Sequence, residues 1–145
     1  MDITKAIGDT DTLIDTYLGG SWSIEQLLEL RRELAVQLYY LSSHVKRAHG
    51  EAGVAYIRRR YNIAHQISEA IRKDSKLSQN KAEAAAEASQ EAREDREAEV
   101  WAEAEREALR TKIDGIKAVL ASMQQEIANA AHEKRTTNFQ ESHTT

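Results

Sequence analysis

The densest group of side chains able to bind a ligand is the segment Tyr56-Ile-Arg-Arg-Arg-Tyr61. Each residue of an α-helix is rotated about 100° from the one before it. With Ile57 on the packed stripe, Arg58 and Arg60 flank that stripe, and Arg59 points away from it. Three more side chains lie on the flank of Arg58, namely His65, Arg72 and Lys76. A fourth, Lys73, lies beside Arg59 on the outer face. The resulting basic line is on the order of 27 Å long.

A row of cations interleaved with tyrosine is typical of a surface that binds single-stranded nucleic acid. The cations follow the phosphates, while an aromatic ring or a guanidinium plane stacks on the bases. A second basic cluster, Lys46 with Arg47, lies earlier in the same segment. The alternative interpretation is that acidic residues between Glu83 and Glu107 lie opposite and neutralise the line, since exposed ion pairs are common and individually weak. Both interpretations stay open at this stage.

The sequence shows no residues spaced for catalysis or for metal binding. The chain contains no Cys, and its five His form no HExxH pair. A di-metal helical bundle needs Glu-x-x-His motifs on inward faces. No His lies between residues 65 and 132, where most of the carboxylates are. We therefore expect no enzyme activity, no cofactor and no metal.

The composition favours a soluble, all-α, intracellular protein. The chain has 145 residues, 41% hydrophobic and 30% charged, with no Pro and only 6% aromatic residues. A chain of this length normally has several prolines in turns, so their absence predicts long uninterrupted helices. No stretch approaches the roughly 20 apolar residues of a membrane span. The acidic start lacks a signal-peptide pattern, so we expect a cytoplasmic location.

The net charge of −4 conceals a strong segregation along the chain. Residues 21–81 hold 11 Lys and Arg against 6 Asp and Glu, whereas residues 82–110 hold 4 against 10. A basic segment is thus followed directly by an acidic one, which any function has to explain.

The predicted organisation starts with an accessory segment, residues 1–22, which ends at Gly19-Gly20. Ser23 and Gln26 form a capping-box pattern that begins the first long helix. The apolar stripe of this helix runs from Leu27 to Ala48. A slip in helical phase at His49–Gly53 is expected to displace the stripe by about one residue. The displaced stripe then comprises Val54, Ile57, Tyr61, Ala64, Ser68 and Ile71.

The second half of the predicted organisation begins with a turn at residues 74–80, with Ser78 as the N-cap of one long second helix. The last part of this helix shows heptad spacing from Leu109 to Ala130. A disordered tail is expected over residues 136–145. Residues 23–135 would then form a long antiparallel helical hairpin, resembling a coiled coil.

A lone hairpin leaves apolar side chains uncovered, so the sequence predicts an oligomer that forms through the apolar end of the hairpin. The residues expected at that contact are Leu27, Leu34, Leu38, Leu41, Val45, Leu109, Ile113, Ile116, Leu120, Met123 and Ile127.

The layout resembles that of the UvsY-like recombination mediators of tailed phages over roughly residues 24–135. The similar features are a long helix with Leu-Tyr-Tyr-Leu41 followed by an Arg run, a turn, and an acidic helix that ends in Ile-Asp-Gly-Ile-Lys-Ala-Val-Leu-Ala-Ser-Met-Gln-Gln-Glu-Ile127. The resemblance implies binding of single-stranded DNA and ring-like homo-oligomers. It also implies, as protein partners, a recombinase and a single-strand-binding protein, and it makes Arg58–Arg60 analogous basic residues. The competing class is a non-enzymatic coiled-coil assembly, scaffold or adaptor protein of a phage.

Overall fold

The computed structural model describes residues 3–143, which form four α-helices and no strand. The helices are α1 (Ile3–Leu18), α2 (Ile24–Lys73), α3 (Gln79–Glu87) and α4 (Gln90–His143). The all-α prediction is confirmed. The chain divides into two compact units, the first made of residues 3–44 and 109–143 and the second of residues 45–108. The first unit therefore contains α1 and parts of α2 and α4, and the second contains α3 and the remainder of those two helices.

The helix ends follow local capping chemistry. At the start of α2 the Gln26 N–H donates to the Ser23 hydroxyl at 3.2 Å, and the Ser23 N–H donates to the Gln26 side chain at 2.9 Å. This reciprocal pair is the predicted capping box. Ser78 caps α3 by accepting a hydrogen bond from the Lys81 N–H, also as predicted. The break before α3 covers residues 74–78.

The prediction of one long second helix is wrong, because residues 88 and 89 separate α3 from α4. The Ser89 hydroxyl donates to the Ala86 carbonyl and accepts from the Ala92 N–H at 3.1 Å. One serine thus satisfies a backbone group of each helix, which stabilises the break.

The end of α4 also differs from the prediction. We expected a disordered tail from residue 136, but the helix continues to His143, and residues 144 and 145 lie outside the described part. No Pro or Gly interrupts this stretch, and the hydroxyls of Thr136 and Thr137 donate to carbonyls four residues earlier at 3.0 Å. Those bonds keep polar side chains compatible with a helix.

The core of the first unit is the apolar stripe that the sequence predicted. The fully buried large side chains there are Leu34, Leu41, Leu109, Ile116 and Met123. The eleven residues expected at an oligomer contact are all buried or partly buried within the single chain. Because the chain's own helices already cover them, they offer little surface to a second copy.

The accessory segment contributes to that core. Ala6, Thr10 and Tyr17 of α1 are buried. The Tyr17 hydroxyl shares a hydrogen bond of 3.0 Å with the hydroxyl of Ser122, and the Lys112 ammonium pairs with Asp11. These contacts tie α1 to the last part of α4, so α1 helps to cover a stripe that two helices alone would leave exposed.

Tyr17→Phe is therefore expected to lower the free energy of unfolding by about 1 kcal/mol, the usual net value of one hydrogen bond. Urea denaturation followed by circular dichroism measures the change. Tyr39→Phe is the control, because the Tyr39 side chain is exposed. An equal loss in both variants would contradict the contribution of the Tyr17 contact.

In the second unit the helical phase of α2 does not slip, which corrects the prediction. The residues turned inward continue the earlier heptad pattern as Ala48, Ala52, Ala55, Arg59, Asn62 and Gln66. Val54, Ile57 and Tyr61 remain 55%, 65% and 66% exposed. Gly50 and Gly53 lie in an unbroken α2, so they did not shift the pattern. Small and polar side chains form this packed face, Val54, Ile57 and Tyr61 lie outside it, and Ile63, Ile67 and Ile71 of the last part of α2 are half-buried.

Candidate nucleic-acid interface

All nine residues proposed to bind nucleic acid lie in the second unit. Arg58, His65 and Arg72 recur every seven residues along α2 and are exposed. A seven-residue repeat returns to nearly the same side of a helix, so these three share one flank, which we call the Arg58 flank. Lys73 and Lys76 follow and are also exposed. The prediction that Lys76 lies on the flank of Arg58 is wrong, because α2 ends at Lys73 and Lys76 lies in the break that follows. The helix thus places Arg58, His65 and Arg72 of the predicted basic line on one flank.

Arg59 does not belong to this surface, because it faces α4 rather than solvent. Its guanidinium forms an ion pair and hydrogen bond with Glu99, and the side chains of the two residues are only 27% and 11% exposed. The hydrogen bond from the guanidinium to Glu99 raises the pKa of Arg59, so this side chain stays protonated. The prediction that Arg59 points outward followed from the assumed phase slip and is wrong.

Two exposed rings lie next to Arg58. Tyr61 and His65 are stacked with ring centroids 6.1 Å apart and an angle of 6° between their planes. Residues four apart are neighbours on a helix surface. The outer face of this ring pair lies beside a cation, which is an arrangement on which a nucleobase can stack.

Arg60 lies on the opposite flank, is exposed and has no ion pair in the described part of the chain. It lines a depression of about 280 Å³ together with Ile63, Ile67 and two carboxylates of α3, Glu83 and Glu87. The guanidinium carbons of Arg59 and Arg60 are each 5.8 Å from the centre of the Tyr56 ring. Tyr56 therefore holds cations within the protein, which leaves it less suited than Tyr61 to a ligand.

The remaining predicted cations fall into two groups. Arg47 pairs with Glu51 and Arg72 with Glu69, each within one turn of α2 and in exposed positions where such pairs are weak. The other group has no ion pair in the described part of the chain and is exposed: Lys46, Arg58, Lys73 and Lys76. This second group is available to phosphates.

Sequence reasoning missed a row of polar contacts between α2 and α4. The Asn62 amide donates to Asp95 at 2.8 Å, and the Gln66 amide donates to Glu91 at 2.8 Å. With Arg59 and Glu99 they form three consecutive contacts, which we call the polar seam. The seven-residue spacing of Ala48, Ala55 and Asn62 was the signal that could have revealed it.

Neither a metal-ion cluster nor a membrane-spanning helix occurs within the described residues. Among residues 3–143, no group of three or more His, Cys, Asp or Glu side chains could hold a metal ion. None of the described helices combines the length and apolar character needed to cross a membrane.

Comparison with known proteins gives no relative. No family model, no curated protein and no solved structure matches the chain.

Proposed function

We propose that this protein is a non-catalytic, single-stranded DNA-binding accessory protein of the recombination-mediator type, which acts as an oligomer. The observation that supports this proposal most is the Arg58 flank with the stacked rings of Tyr61 and His65. Phosphates would follow the cations, and bases would stack on the rings. A recombinase and a single-strand-binding protein are the protein partners in this proposal.

The distribution of charge in the second unit supports the same proposal. Between residues 45 and 73, α2 contains seven Lys and Arg against two Glu. Between residues 90 and 108, α4 contains three Arg against eight Asp and Glu. A strand of DNA would be attracted to α2 and repelled by α4, so it would be confined to one side of the pair.

We also propose that α2 and α4 form an antiparallel hairpin in the second unit. The order of the polar seam supports this arrangement: Arg59, Asn62 and Gln66 contact Glu99, Asp95 and Glu91 in turn. Residue numbers rise along one helix as they fall along the other. Such a hairpin would present the Arg58 flank as a straight edge on a stiff support.

Binding by a single chain is expected to be modest, because the net charge is −4 and only a few unpaired cations lie on or next to the Arg58 flank. Several copies acting on one strand would raise the apparent affinity through effective concentration, with no new contacts. This is the reason for proposing an oligomer.

A titration of labelled oligo-dT at several salt concentrations tests the proposed function. If three or four of the free cations contact phosphates, the logarithm of the affinity should fall with that of the salt concentration with a slope of about −2 to −3. Oligo-dA and oligo-dC should bind within a few-fold of oligo-dT, since stacking and charge do not read base edges. Absence of binding at low salt would contradict the proposal.

The second candidate is a coiled-coil assembly or adaptor protein without DNA binding. It is favoured by one observation, the ion pair of Arg59 with Glu99, which shows that part of the basic segment serves to join two helices. An adaptor should tolerate charge reversal on the Arg58 flank, provided that the fold is intact. The two candidates therefore differ in a single measurable response.

A further inference from the structure

A second pair of a cation and an aromatic ring lies on another side of α2 from the Arg58 flank. The guanidinium carbon of Arg60 is 5.8 Å from the centre of the Tyr56 ring, and both side chains are exposed. Arg58 and Arg60 are two residues apart, which is a rotation of about 200° around a helix. Two separate sides of α2 therefore offer a cation to a phosphate. We call the surface formed by Tyr56 and Arg60 the Arg60 face.

Two carboxylates lie beside the Arg60 face. Glu83 and Glu87 of α3 line the same depression as Arg60. Both are exposed, and neither has an ion pair in the described part of the chain. Arg59 lines the depression as well, but its charge is matched by Glu99. Arg60 is thus a single uncompensated cation that shares its depression with two negative charges.

The placement of these carboxylates follows from the buried side of α3. Ala82 and Ala86 are the buried residues of this short helix. Glu83 and Glu87 each follow one of them, and residues four apart share one side of a helix, so both carboxylates lie along the same edge. Lys81 precedes Ala82 and does not line the depression. The helix therefore directs its negative charges, and not its positive one, toward Arg60.

We propose that Glu83 and Glu87 exclude single-stranded DNA from the Arg60 face and so confine the strand to the Arg58 flank. A phosphate at Arg60 would meet two negative charges for one positive charge, and repulsion between like charges suppresses binding at a wrong position. This inference rests on the proposed function and adds to it the residues that determine which side of α2 the strand follows. Because the charges are exposed, the exclusion should be strongest at low salt.

Neutralising the two carboxylates tests the exclusion. Glu83→Gln with Glu87→Gln removes both charges, and residue 83 keeps an oxygen for the hydrogen bond that the Gln79 amide donates at 2.9 Å. This double variant should bind oligo-dT about three- to fivefold more tightly than wild type at low salt, with a salt dependence steeper by about 0.7 for one added phosphate contact. Fluorescence anisotropy at several salt concentrations measures the affinity and the slope.

Two comparisons show whether the gain comes from Arg60. Arg60→Gln, added to the variant with both Gln substitutions, should remove the gain, whereas in the wild-type background it should change the affinity by less than about twofold. The matched control is Glu33→Gln with Glu126→Gln, which changes the net charge equally at two exposed positions of the first unit. This control should bind within about twofold of wild type, because charges distant from the strand are screened.

The possible results separate this inference from the proposed function. Binding by wild type with no gain in the Gln double variant, an equal gain in the matched control, or a gain that survives Arg60→Gln would each overturn only the inference. Binding by the double variant but not by wild type would contradict only the proposed function, and binding by neither would contradict both. Circular dichroism checks the helix content, and Glu83→Ala with Glu87→Ala replaces the Gln variant if that content falls, since Ala is the best helix former.

Discussion

Replacing Arg58 and Lys73 by Glu is expected to lower the affinity for oligo-dT by more than about tenfold at low salt, and to flatten its salt dependence. Both side chains are exposed and have no ion pair in the described part of the chain. The reversal removes two phosphate contacts and adds two negative charges to the same edge. Fluorescence anisotropy at several salt concentrations measures the affinity and the slope, which should become less steep by about 1.4.

The matched control for this variant is Arg31→Glu with Arg135→Glu. It changes the net charge by the same amount, at two exposed positions of the first unit. If binding depended only on total charge, the two double variants would lose equal affinity. The proposal requires that the control retain most of its binding, and equal losses would contradict the assignment of the Arg58 flank.

Arg59→Glu is expected to destabilise the fold, with a loss of about 2–3 kcal/mol in the free energy of unfolding. The substitution places a second carboxylate against Glu99, which is largely withdrawn from water. The exchanged pair, Arg59→Glu with Glu99→Arg, should recover much of the loss because it restores opposite charges across the polar seam. Urea denaturation of the wild type, both single variants and the double variant measures the coupling.

Arg58→Glu is the control for the Arg59 series. It lies one residue away but is exposed and unpaired, so its effect on stability should stay within about 0.5 kcal/mol. A similar loss at both positions, or no recovery in the exchanged pair, would contradict the inward orientation of Arg59. The comparison also shows why Arg59 is unsuited to a DNA-binding test, since a loss of binding there would report unfolding.

The first unit could be predicted well because large apolar side chains form its core. Leu27, Leu34 and Leu41 repeat every seven residues, and Leu109, Ile116 and Met123 do the same. All six are buried. Burial of such side chains is the dominant favourable term in folding, so the pattern of the largest apolar residues indicates the packed face.

The second unit could not be predicted in the same way, because the packed face of α2 between residues 48 and 66 consists mainly of alanines and paired polar residues. The prediction followed Val54 and Ile57, which are larger than Ala52 and Ala55. Those alanines allow the helices to approach closely, and Arg59 finds Glu99 across the contact. The spacing of Ala48, Ala55 and Asn62 indicates this face, but it does not indicate which residue 40 positions away will pair with Arg59.

The candidate site was therefore only partly predictable. Arg58, His65 and Arg72 share a flank whatever the helical phase, since that follows from their seven-residue spacing alone. Arg59 belongs to the polar seam and not to the exposed surface, and Arg60 lines a depression with Glu83 and Glu87. Both positions depend on how the helices pack. Spacing along one helix fixes which residues are neighbours, but it does not fix which of them face solvent.

Photo-crosslinking of the wild-type protein to oligo-dT that contains 5-bromodeoxyuridine tests the central claim most directly. Trypsin cuts after Arg60 and Arg72, so Tyr61 and His65 lie in one peptide, residues 61–72. The account predicts that mass spectrometry finds the crosslinked nucleotide in this peptide, and that the Arg58→Glu, Lys73→Glu variant loses the crosslink. Crosslinks confined to the first unit, or no crosslink at low salt with excess oligo-dT, would contradict it.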